Sequence, residues 1–168
     1  PTAAVSIWDV NGARFYGCTF DNNAEATKHS AGAYGIYALS SQLMVTESSE
    51  FPSSFVGYNY GVYATDVCKT DKFTVIANST FTNNRHGIYL STHLNPRIYN
   101  NEIEVPNLST PSGFASPYGV YLNASSGYLF TENKFTTIGS GFNTYGAVFN
   151  NSGSDANLAY KNTFDGLT

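Results

Sequence analysis

Acid–base chemistry needs two carboxylates a short distance apart, and the chain places one such pair, Glu50 and Glu102, at equivalent outward positions of a repeat. Two layers of sheet would separate them by about 10 Å, at or beyond the long end of glycosidase pairs. They read as part of a solvated outer face, so no catalytic residue is assigned and the chain is not expected to be an enzyme. Asp66 and Asp71 could hold a cation, but a polar turn accounts for them better. No metal site and no cofactor is expected. The side chains best suited to a ligand are aromatic: Tyr37, Tyr63, Tyr89 and Tyr121 recur at one position of the repeat, with Arg85 and His86 beside them. An exposed row of tyrosines can stack on sugar rings or on a partner protein. The competing reading is a ladder that stabilises its own sheet. His86 fills a slot that is Tyr in four other units and reads as a substituted stacking residue. His29 and His93 read as lone loop histidines.

The element that must position these tyrosines is a five-residue motif. Tyr118-Gly119-Val120-Tyr121-Leu122 is matched by Tyr34-Gly35-Ile36-Tyr37-Ala38, Tyr60-Gly61-Val62-Tyr63-Ala64, His86-Gly87-Ile88-Tyr89-Leu90 and, more loosely, Tyr145-Gly146-Ala147-Val148-Phe149. The steps between glycines are 26, 26, 32 and 27 residues. A repeat of that length implies a stacked array in which each unit buries its apolar face against its neighbours. Side chains alternate along a strand, so Ile36, Val62, Ile88 and Val120 face inward with Ala38, Ala64, Leu90 and Leu122, while the tyrosines between them face out.

The second half of each unit follows the same register. An apolar column is expected at Phe20, Phe51, Phe81, Ile103, Phe135 and Phe164, and another five residues earlier at Phe15, Thr46, Ile76, Ile98, Phe130 and Ala159. Between them, Cys18, Ser49, Ser79, Asn101, Asn133 and Asn162 mark a tight bend, as small residues or Asn that tolerate the left-handed conformation. The outward position after the bend holds Thr19, Glu50, Thr80, Glu102, Lys134 and Thr163. Three short strands per turn, a sharp bend with Asn, and variable loops at one corner describe a parallel β-helix of about six coils. Parallel crossovers make it right-handed. Residues 1–168 form one domain. The Asn-Gly and Asp-Gly hairpin signals of an antiparallel sandwich are confined to Asn11-Gly12 and Asp165-Gly166.

Charged residues are 12% of the chain and the formal net charge is −4, with no Lys/Arg cluster, so neither nucleic acid nor an anionic membrane is an expected partner. No apolar run approaches the roughly 20 residues of a membrane span, and the first residues lack the pattern of a signal peptide. Cys18 and Cys68 would lie about 10 Å apart in the stack, too far for a disulfide. Sequons at Asn78, Asn107, Asn123 and Asn150 are glycosylation acceptors in a eukaryotic secretory route, though an Asn- and Ser-rich repeat yields them by chance. Corner loops sharpen the ligand question. The one after the third unit is four residues long, against 13 and 14 after the first and fourth. A low saddle between two walls is expected near Arg85, His86, Tyr63 and Tyr89.

Gly87-Ile88-Tyr89-Leu90 with Arg97-Ile98-Tyr99-Asn100-Asn101-Glu102-Ile103 resembles the right-handed parallel β-helix repeat of the pectate-lyase-like superfamily, and the likeness runs over essentially all 168 residues. The resemblance implies a fold more than a function. Many such β-helices act on acidic polysaccharides, but the paired aspartates and Gly-His-Gly signature of polygalacturonases are absent, and Arg85-His86-Gly87 is not that motif. Segments such as Gly127-Tyr128-Leu129-Phe130-Thr131-Glu132-Asn133-Lys134-Phe135 are similar to β-helix arrays in large surface proteins exported by the type IX secretion route of Bacteroidota. That likeness implies one region of a longer secreted or cell-surface protein. Solenoid ends need covering, so the expected partners are other regions of the same chain or a protein stacked on the ends, with polysaccharide as a ligand of the tyrosine face. Three readings follow: a non-catalytic structural or adhesive segment, a carbohydrate-binding module, and a polysaccharide lyase or hydrolase whose acids lie outside this region.

Overall fold

The computed structural model describes residues 2–24, 28–65, 73–109, 115–139 and 142–167, and over them the chain winds through eighteen short strands with no helix. The first coil is β1 (Thr2–Trp8), β2 (Ala13–Tyr16) and β3 (Thr19–Asp21); the second is β4 (Ala33–Leu39), β5 (Leu43–Thr46) and β6 (Ser53–Val56). The third is β7 (Tyr60–Thr65), β8 (Thr74–Ala77) and β9 (Ser79–Thr82); the fourth is β10 (His86–Ser91), β11 (Arg97–Tyr99) and β12 (Glu102–Pro106). The fifth is β13 (Tyr118–Asn123), β14 (Leu129–Thr131) and β15 (Lys134–Ile138); the sixth is β16 (Tyr145–Asn150), β17 (Leu158–Tyr160) and β18 (Thr163–Phe164). Each strand pairs in parallel with its counterparts one coil before and after, giving three six-stranded sheets. We call them A (the first strand of each coil), B (the second) and C (the third). This is a parallel β-solenoid with three strands per coil. Asp66, Cys68 and Asp71 lie outside the described residues; Cys18 is a free thiol.

The inward parity of sheet A is as expected: Ile36, Val62, Ile88 and Val120 are fully buried, with Ala38, Ala64, Leu90 and Leu122 behind them. The glycine of the motif breaks the alternation. A Cβ on Gly119 would point into the core, 2.6 Å from the carbonyl oxygen of Gly146 and 2.6 Å from the ring of Phe135. Gly35, Gly61 and Gly87 meet the next glycine's carbonyl in the same way. Gly and the next residue therefore both face inward, and the tyrosines on either side of that pair both face out. Gly119→Ala should cost about 2–3 kcal/mol by overpacking, read as a lower urea midpoint with an unchanged m-value; an unaltered midpoint would mean that sheet A yields at this column.

Four positions in the second coil depart from expectation, all for one reason. The column runs Phe20, Phe55, Phe81, not through Phe51, which is 64% exposed. Val45, not Thr46, pairs between Phe15 and Ile76. Ser53 takes the place expected for Ser49, and Ser54 the place expected for Glu50. A turn in which Ser48 and Phe51 are hydrogen bonded, followed by Pro52, bulges out of the bend between sheets B and C and adds five residues between Val45 and Phe55. Glu50 is exposed on that bulge, so it shares no column with Glu102.

At the same bend the left-handed residue is one place earlier than expected. Gly17, Asn78, Asn100, Glu132 and Lys161 have φ between 48° and 58°. The following residue turns its side chain inward and caps the backbone. Asn133 Nδ2 donates to Ile98 O and to Asn162 Oδ1, while its own Oδ1 accepts from the N–H and Nδ2 of Asn101. Asn101 Nδ2 donates to Ile76 O and Asn162 Nδ2 to Phe130 O. Backbone groups that the bend removes from the sheets are thereby satisfied inside the core. In the first three coils the core at this bend is filled by Phe20, Phe55 and Phe81, which stack at 4.6 and 4.8 Å.

His93 lies in a loop, as expected, but not at the surface. It is fully buried at the bend from sheet A to sheet B, its Nδ1 2.8 Å from Thr74 Oγ1 and its backbone N–H donating to Ser125 Oγ. Burial lowers its pKa to about 4, with the Ala64 backbone opposing the shift.

Candidate functional site

The outer face of sheet A carries two aromatic columns. Tyr37, Tyr63, Tyr89 and Tyr121 stack as expected, with ring centroids 5.4, 4.8 and 5.6 Å apart, and all four are half-buried. The second column, Tyr34, Tyr60, His86 and Tyr118, has spacings of 5.3, 4.7 and 4.1 Å. It lies on the same face because the inward Gly-x pair restores the outward direction three residues earlier. Edge contacts such as Tyr34 to Tyr37 at 5.0 Å and Tyr60 to Tyr63 at 5.2 Å knit the columns together. Strict alternation conceals this second column; the recurring Tyr-Gly-x-Tyr spelling is the signal for it.

His86 is a stacking residue, sandwiched between Tyr60 and Tyr118. It is shorter than the tyrosines around it, and the hydroxyls of Tyr60 and Tyr118 hydrogen bond to each other across the gap. Only 3% of His86 is exposed. Its pKa is lowered to about 3, chiefly by burial and then by the charges of Arg85 and His29. An imidazole so placed is neutral and does not reach a ligand on the surface. Burial likewise pushes Tyr63 up to about 12, with Tyr89 next in effect, and raises Tyr118 further. The face is therefore uncharged at neutral pH and offers rings and hydroxyl groups.

The saddle is wider than expected and its ends lean inward. The shift in the second coil shortens its corner loop to residues 57–59, which joins the short loop at 83–85 between the longer ones at 22–32 and 107–117. From the first of these, His29 crosses two coils: its N–H donates to Gly57 O at 2.9 Å, and its Nε2 lies 2.5 Å from Asn83 O. From the other side, Ala115 O accepts a hydrogen bond from the Arg85 guanidinium at 3.4 Å. Arg85 is 7% exposed. Arg85 and His86, expected to be contact residues, thus lie beneath the surface, and the half-buried tyrosines remain as the reachable part. Towards the sixth coil the face opens into a hollow of about 550 Å³ lined by Tyr118, Tyr121, Tyr145 and Val148, with Ala115 and Ser116 at its rim. Among the described residues no three His, Cys, Asp or Glu side chains come together as a metal site would require.

A family model described as the right-handed beta helix region matches residues 3–167. No curated protein and no solved structure gives a match.

Proposed function

The chain belongs to the right-handed β-helix family, and from that premise we propose that it is a structural or adhesive segment of a secreted or cell-surface protein, holding a tyrosine face outward on a stiff core. The observation that carries this reading is the unbroken register of three parallel sheets over six coils, closed inside by stacked phenylalanines and an amide ladder. Such a core resists bending because every coil is tied to the next by main-chain bonds on all three sides. Adhesion needs a surface that is large, flat and aromatic, which sheet A supplies. The reading is tested by offering pectin, alginate and chondroitin with and without Ca²⁺. Stable polymer is the expected result, and Ca²⁺-dependent cleavage would overturn the non-catalytic assignment.

A second reading is a carbohydrate-binding module, favoured by the half-exposed Tyr37–Tyr63–Tyr89–Tyr121 column and its lack of charge. Neutral sugar rings stack on such a column, and each ring removed should weaken binding by about 1 kcal/mol. Tyr63→Ala combined with Tyr89→Ala should therefore reduce glycan-array binding at least about tenfold. A wild-type chain that binds no glycan would leave the structural reading alone.

A further inference from the structure

The outer faces of sheets B and C are unlike, and their charges stand at matching heights. No strand of sheet B contains a carboxylate, and its two charged residues are Arg14 and Arg97. They occupy one outward column, Arg14–Met44–Val75–Arg97, so the first and fourth coils each present an exposed guanidinium and the two between present apolar side chains. Sheet C is the complement. Its carboxylates are Asp21 in the first coil and Glu102 and Glu104 in the fourth, and the coils between carry Ser54, Val56, Thr80 and Thr82 on the outside. Both faces thus repeat their charge at an interval of three coils, about 14 Å at 4.8 Å per coil.

Sheet C also has a receptor for a guanidinium. A hollow of about 140 Å³ is lined by Glu102 and Glu104 together with Thr80, Thr82, Thr136 and Lys134. Glu104 Oε1 is buried there without a hydrogen-bond partner among the described residues, and burial raises the pKa of its carboxyl against the pull of the Asn83 backbone. A buried acceptor of this kind is costly until a donor reaches it. None of Arg14, Arg97, Asp21 and Glu102 is in an ion pair with a described residue. A planar fork of N–H donors suits two carboxylates better than an ammonium does.

We propose that the solenoid associates side by side with a second copy of itself at the same height, sheet B of one chain against sheet C of the next, with Arg97 entering the Glu102–Glu104 hollow and Arg14 meeting Asp21. Met44 and Val75 then lie over the short side chains of Ser54, Val56, Thr80 and Thr82. The contact joins two different faces, so it propagates into a ring or an open array and does not stop at a symmetric dimer.

Sedimentation velocity of residues 1–168 over a rising concentration series tests this. Wild type should show reversible, salt-weakened association. Arg97→Glu and, separately, Glu102→Lys with Glu104→Lys should each weaken it by at least about tenfold. Arg97 and Glu102 are exposed and Glu104 is half-buried, and circular dichroism confirms folding of each variant. Mixing the two variants should restore association, because each supplies the face that the other has lost. A wild type that stays monomeric to millimolar concentration, charge reversals without effect, or a mixture that remains monomeric would each overturn the proposal.

Discussion

Lowering the pH from 7 to 4 should remove on the order of 5 kcal/mol of folding stability through two buried imidazoles. His86 and His93 have pKa values lowered to about 3 and about 4 from 6.5, in both cases mainly by burial. Below pH 6.5 the unfolded chain takes up a proton on each histidine and the folded chain does not. Stability is therefore complete above the unfolded value and falls as the pH drops towards the folded ones, by about 1.4 kcal/mol per unit for each group. His29 is also lowered and adds in the same direction, although it is only half-buried. Glu104 acts the other way: its raised pKa means that acid relieves a buried carboxylate. Urea unfolding at pH 7, 5.5 and 4 gives the slope directly. His86→Phe keeps a ring between Tyr60 and Tyr118 but cannot titrate, so the slope should fall by about one proton. A slope that stays the same in that variant would show that His86 is not the buried base.

The second large effect concerns the bend between sheets B and C. Asn133→Ala removes the middle of the amide ladder, leaving the Asn101 N–H and one hydrogen of the Asn101 Nδ2 without acceptors at a site that is 1% exposed. Each stranded group costs about 1–3 kcal/mol and the ladder bonds strengthen one another, so a loss of about 4 kcal/mol is expected. Asn100→Gly, one residue earlier, keeps the left-handed backbone, loses only an exposed bond to Asn78 and should cost less than about 1 kcal/mol. Thermal and urea unfolding of the pair distinguish the two. Equal losses would mean that the inward amides contribute no more than surface ones.

Sheet A was the most legible part of the chain because its glycines cannot be replaced. No Cβ fits where Gly35, Gly61, Gly87 and Gly119 pass under the next coil, so the residue type itself marks the register, and the inward and outward columns around it follow. The bend was legible where Asn stands in it, at 101, 133 and 162, and illegible at the second coil, where a count of 16 residues from Gly35 ends on Phe51. Counting fails at an insertion. The spelling does not: Ser53-Ser54-Phe55-Val56 has the same small, polar, aromatic order as Ser79-Thr80-Phe81-Thr82, and it is this order that the core requires.

The tyrosine face was read correctly as a stack and incorrectly as half of one, since period-two alternation admits only Tyr37 and its equivalents. Burial of Arg85 and His86 could not be read from their own neighbours. It depends on His29 and Ala115, which reach them from loops 54 and 30 residues distant from their partners in sequence. The burial of His93 was hidden for a related reason: Ser41 and Ser125 hold the equivalent corner positions, and nothing in the local sequence says that an imidazole has been accommodated there in place of a hydroxyl.

Because every strand bonds only to the strands one turn of chain away, the loops that must close during folding are all nearly the same length. Each closure costs an entropy that grows only as the logarithm of that length, and a newly added turn finds a finished edge waiting for it. Growth by accretion on any two joined turns is then the natural route, with no single long-range contact acting as a gate. The rate of folding should accordingly depend little on how many turns the molecule has, and much on the stability of the first two that meet.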